Sequence, residues 1–92
     1  MSYASLQEVF DKAFLQASSG KGKDRHANND SFVDQPIFWI EREFKSFQLG
    51  QAVKKIHESQ RLPTERAVAE LYGAIVFIAS HIIFLENNAG KE

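Results

Sequence analysis

Four stretches of this chain carry apolar residues at helical spacing, separated by polar or glycine- and proline-bearing breaks. Leu6, Val9, Phe10, Ala13, Phe14 and Ala17 recur every three or four residues, with Glu8, Asp11, Lys12 and Gln16 between them. The pattern predicts an amphipathic helix over 6–18, opened by the capping-box order Ser5-Leu6-Gln7-Glu8 and closed at Ser19-Gly20. Residues 20–34 show neither helical nor strand period and read as one long basic, polar loop. Pro36 then suits a first helical turn, and Ile37, Ile40, Phe44 and Phe47 predict the core stripe of a helix over 36–47. On that register Phe38 and Trp39 point to the flank and back. Leu49, Ala52, Val53 and Ile56 predict a third helix over 49–60, joined to the second by a bend near Gln48 to Gly50. Arg61-Leu62-Pro63 breaks it, and Thr64 is placed to cap a fourth helix over 65–86, with a frayed tail at 87–92.

The fourth helix has two apolar lines. Val68, Leu71, Tyr72, Ile75, Ile78, Ala79, Ile82 and Leu85 are expected to close the subunit's own core. Gly73, Phe77, Ser80 and Phe84 lie opposite, where small residues let another helix approach, and are expected to meet a second copy in a homo-oligomer. The fold class that follows is all-α: a single domain, 1–92, of about four helices packed as helical hairpins, its long C-terminal helix in an oligomer interface. No strand-like alternation and no internal repeat appears.

Composition narrows the function classes. Hydrophobic residues make up 43% and charged residues 25%, with 11 basic against 12 acidic side chains. Near-zero net charge argues against an extended nucleic-acid partner or a polybasic membrane anchor. No cysteine is present, which removes disulfides, thiol nucleophiles and cysteine-ligated metals and fits the cytoplasm. The longest apolar run, Ala74 to Leu85, is shorter than the roughly 20 residues that cross a bilayer, so no membrane role is expected.

The most informative chemistry is Gly20-Lys21-Gly22-Lys23-Asp24-Arg25-His26. Glycines allow close backbone approach, lysines supply point charge, and arginine supplies a planar fork for phosphate oxygens. Lys21, Lys23, Arg25 and His26 are therefore the candidate phosphate ligands, with Trp39 as the aromatic that stacks on a base. The segment is no Walker loop, since no Ser or Thr follows Gly-Lys. A solvated surface loop is the competing reading. For Phe38, Trp39 and Arg42 it is a protein interface, in which such residues serve as anchors. Glu8-x-x-Asp11 alone has the carboxylate spacing of a magnesium helix, and Glu70 is followed by Gly73 where a partner acid would stand. His26, His57 and His81 show no ligand spacing, and His81 reads as an interface side chain hydrogen-bonded to a neighbour. Ser18 and Ser19 have no triad partners. No catalytic residue, metal or cofactor is assigned.

The blocks Gly20 to Ala27, Gln35-Pro36-Ile37, Leu49-Gly50-Gln51-Ala52 with Lys54-Lys55, and Ala69 to Ile75 resemble small phage and prophage proteins of unassigned function. The last block also resembles the acidic helix of the MazG-like nucleotide pyrophosphohydrolases, with Glu70 matching and Gly73 replacing an aspartate. That resemblance implies nucleotide binding with hydrolysis in question. In general character the chain is similar to phage sponges that sequester cyclic-nucleotide immune signals. The expected function is thus a non-catalytic, oligomeric, cytoplasmic binder of a nucleotide or other phosphate ligand, an anti-defence sponge being its most concrete form. The alternatives are a phage module that inhibits a host protein and a divergent pyrophosphohydrolase.

Overall fold

A computed structural model describes residues 2–19 and 31–89. They form helices α1 (Ala4–Ser19), α2 (Pro36–Glu43), α3 (Phe47–Ser59) and α4 (Thr64–Asn88), with a 3-10 turn at Phe32–Asp34 before α2. No strand occurs among the described residues, so the all-α expectation holds. α3 and α4 pack along each other as the principal hairpin, α1 lies on α4, and the short α2 caps one end against α3 and α4.

The helix boundaries move for local reasons. α1 starts at Ala4, ahead of the expected capping box, because the Ser2 hydroxyl accepts the Ala4 amide at 3.0 Å and leaves Ser5 inside the helix. The polar loop ends early: Ser31 donates from its hydroxyl to Asp34 at 2.7 Å and closes the 3-10 turn. Pro36 occupies the first turn of α2 as expected. That helix stops at Glu43, and the chain reverses through Phe44 to Ser46 rather than near Gly50, which lies inside α3. Ser46 adopts a left-handed φ of 69°, uncommon for a residue with a side chain. No side-chain bond caps α4 at Thr64; the helix follows directly from Pro63.

The early end of α2 also changes which residues face inward. Phe38, expected on the flank, is 3% exposed and packs edge-on against Phe32 with ring centroids 5.3 Å apart. Phe44, expected in the core, lies beyond the helix end and is exposed. On α1 only Ala13 is buried, while Leu6, Val9, Phe10 and Phe14 remain open.

α4 presents the largest reversal. Gly73 and Ser80 are buried, and Phe77 and Phe84 half-buried, within a single chain. Gly73 makes room for Lys55 of α3: a Cβ there would stand 2.9 Å from the lysine Cδ. Phe77 meets Phe47 edge-on at 6.3 Å. The small-residue line therefore admits the chain's own α3, and the assignment of Gly73, Phe77, Ser80 and Phe84 to an oligomer interface is corrected. Leu71, Ile78, Ile82 and Leu85, expected to close the core, are the exposed ones. α4 is also longer than its central apolar run, and by length and composition alone it could cross a membrane.

Candidate functional site

The junction of α2, α3 and α4 holds the most ordered polar chemistry among the described residues. Glu41 is 1% exposed, yet its carboxylate is fully engaged. Oε2 accepts the Ser46 amide and Oε1 the Gln48 amide, each at 2.7 Å. These are free donors at the start of α3, where a carboxylate also meets the positive end of the helix dipole. Gln48, completely buried, donates from Nε2 to the Ile37 carbonyl at 3.1 Å. Its Oε1 then faces His81 Nδ1 at 3.1 Å, with Glu41 Oε1 3.8 Å from the same nitrogen. Because that amide oxygen can only accept, the His81 proton sits on Nδ1, which leaves Nε2 as the free ring position. Phe84 stacks on the imidazole at 6.1 Å and fixes its plane. His81 is thus the interface side chain expected from the sequence, hydrogen-bonded across to α3.

Chemically this network holds a loop and three helices together. No buried side-chain polar atom of the described residues lacks a partner, so the burial of Glu41 and Gln48 is matched by hydrogen bonds. Glu41 and Gln48 escaped sequence reasoning because both sit among other polar residues. The one signal was a glutamate a few residues ahead of a helix start, the range in which a carboxylate can reach back-to-back amides.

The other acidic and histidine candidates are occupied singly. Glu70, the residue that matches the pyrophosphohydrolase helix, accepts from Lys55 at 3.4 Å, and the same ammonium lies 6.0 Å from the Phe77 ring centroid. Asp11 accepts from Gln7 at 2.9 Å. His57 meets Arg61 at 3.2 Å, where Nε2 must accept because a guanidinium only donates. Ser18 and Ser19 donate to the Phe14 and Leu15 carbonyls one turn back. Among the described residues no three His, Asp or Glu side chains converge as a metal site.

Of the candidate phosphate ligands, Lys21, Lys23, Arg25 and His26 lie outside the described residues. Trp39 is described. It stands on the outer side of α2, 47% exposed, with Arg42 one turn on and also exposed. The inward turn of its neighbour Phe38 is what sends Trp39 outward, since adjacent helix positions diverge by about 100°. Phe38 is consequently no anchor for a partner, whereas Trp39, Arg42 and Phe44 are all accessible.

Comparison with family models, with curated proteins and with solved structures found no match to this chain.

Proposed function

We propose that this protein acts by binding and not by catalysis, holding a phosphate-bearing ligand, a nucleotide or cyclic nucleotide foremost, in the cytoplasm. The observation that carries the reading is Trp39: a lone tryptophan held outward on a short helix, downstream of the basic segment Lys21, Lys23, Arg25 and His26. The Phe32–Phe38 contact packs the 3-10 turn at Phe32–Asp34 against the helix that bears Trp39. Basic groups for phosphate and an aromatic face for a base are the two parts a nucleotide site needs. The satisfied Glu41–Gln48–His81 network supports a scaffold role for the remaining polar residues. Sequestration of a signalling nucleotide is one form of this activity.

Trp39 is the sole tryptophan, so its fluorescence reports the site directly. Titration with a panel of linear and cyclic nucleotides should quench or shift its emission to saturation for at least one member. The triple variant Lys21→Ala, Lys23→Ala, Arg25→Ala should lose that response, and recovery of intact nucleotide after denaturation should separate binding from turnover. A flat titration across the panel rejects the reading.

A second reading is favoured by the exposure of Phe44 at the end of the helix that bears Trp39 and Arg42: a host protein docked on α2, of the kind a phage inhibitor would engage. Under it, Trp39→Ala abolishes complex formation and the triple loop variant does not.

A further inference from the structure

The side of α4 that the chain leaves open is patterned. Val68, Leu71, Ile75, Ile78, Ile82 and Leu85 are spaced alternately by three and four residues, the order of a coiled-coil seam. At 100° per residue all six fall within an arc of about 100°, opposite the Gly73–Ser80 line that α3 covers. Ile75 is half-buried, and the other five are exposed, Ile82 the most at 53%. A strict seam of this kind is narrower than the stripe of an ordinary surface helix and calls for one partner helix.

We infer that this seam takes α4 of a second copy, antiparallel, about a twofold axis between Ile75 and Ile78. The occupant is given by the sequence itself. Turned end for end, the seam superposes on its own pattern: Val68 meets Leu85 of the second copy, Leu71 meets Ile82, and Ile75 meets Ile78, so apolar residues meet apolar residues along the whole length. A twofold contact requires such self-complementarity. The flanking positions Ala67 and Ala79 are small and let the backbones close up.

Charge selects the direction. Glu86 flanks the seam near the C-terminal end of α4. Antiparallel pairing sets it beside Ala67 in the first turn of the partner helix, where free amides and the positive dipole end favour a carboxylate. Parallel pairing would instead set Glu86 against its own copy. The five exposed seam residues offer on the order of 400 Å² per copy, about half of the roughly 800 Å² per partner of a standard interface, which is the size of a concentration-dependent dimer contact. A bilayer is the poorer occupant, because α3 runs along α4 carrying Lys54, Lys55, His57 and Glu58 and would have to enter the hydrocarbon with it.

The proposal involves none of the residues assigned to the ligand and stands or falls apart from it. Sedimentation equilibrium of the full chain in detergent-free buffer should give a dimer, twice 10.4 kDa. Ile82→Glu should raise the dimer dissociation constant on the order of a hundredfold by burying a charge against Leu71 of the second copy. Its circular dichroism should stay helical, since the side chain is exposed in the subunit. The chain has no cysteine, so Leu71→Cys and Ile82→Cys made in separate chains, mixed and oxidised, should cross-link to each other and not to themselves. A monomer at every concentration, a dimer indifferent to Ile82→Glu, self-linking of Leu71→Cys, or flotation with phosphatidylcholine vesicles in place of dimerisation would each overturn it.

Discussion

The two sides of α4 are held by opposite means. Toward α3 the helix offers small and polar groups: Gly73 under Lys55, Ser80 returning its hydroxyl to the Val76 carbonyl at 2.7 Å, and His81 bonded to Gln48. Away from α3 it offers six aliphatic side chains, five of them open. Ordinary amphipathic logic would put the aliphatic side inward. The difference arises because close approach of two helices is limited by side-chain bulk. Gly73 and Ser80 let α3 come near along α4, and the bulky side is left facing away from it.

If the polar side holds the subunit together, its disruption should have the largest effects. Glu41→Ala removes the acceptor for two amides at the start of α3 and exposes the left-handed Ser46 turn to loss of its anchor. Hydrogen bonds to charged groups and the penalty for buried unsatisfied donors place the cost at about 3–4 kcal/mol in urea unfolding. Glu41→Gln, which keeps one acceptor, should lose about half of that. Ser80→Leu should cost about 2–3 kcal/mol, since a fully buried small residue at a close helix crossing leaves no room for two more heavy atoms. A Ser80→Leu chain as stable as the wild type would mean that α3 and α4 are not in contact there.

His81→Phe sharpens the same side at smaller scale. It keeps a ring to stack near Phe84 and removes only the donor to Gln48 Oε1. An expected loss of about 1–2 kcal/mol follows from one buried acceptor left unpaired. Gly73→Ala should lie within about 1 kcal/mol of the wild type, because the gain in helix propensity offsets displacement of the Lys55 side chain from Glu70. A loss well beyond that would show that the lysine cannot move aside.

Much of the helix layout was legible in the sequence, because proline, glycine and apolar spacing are local signals. Pro36 marked the start of α2 and Arg61 to Pro63 the break before α4. Which side of a helix turns inward is a tertiary property, and there the reading failed twice. On α2 the outcome hinged on Glu41 capping the next helix, which ended α2 before Phe44 and turned Phe38 in. On α4 it hinged on an approach distance that hydrophobicity does not encode. Trp39 was expected off the core stripe of its helix and is exposed there, whereas Glu41 and Gln48 were invisible because a buried polar residue looks in sequence like an exposed one.

The aliphatic side supplies the smallest predicted change and the most diagnostic one. Leu85→Ser alters a side chain already half in water, so at protein concentrations where single copies prevail it should shift unfolding by no more than about 0.5 kcal/mol. Raising the concentration should then separate the two proteins. Association stabilises the folded state by mass action, so the wild-type melting temperature should climb with concentration, whereas that of Leu85→Ser should climb less. A wild-type melting temperature independent of concentration would place the aliphatic side in service of another occupant. A large loss for Leu85→Ser at high dilution would return that side to the subunit's own core and undo the contrast between the two sides of α4.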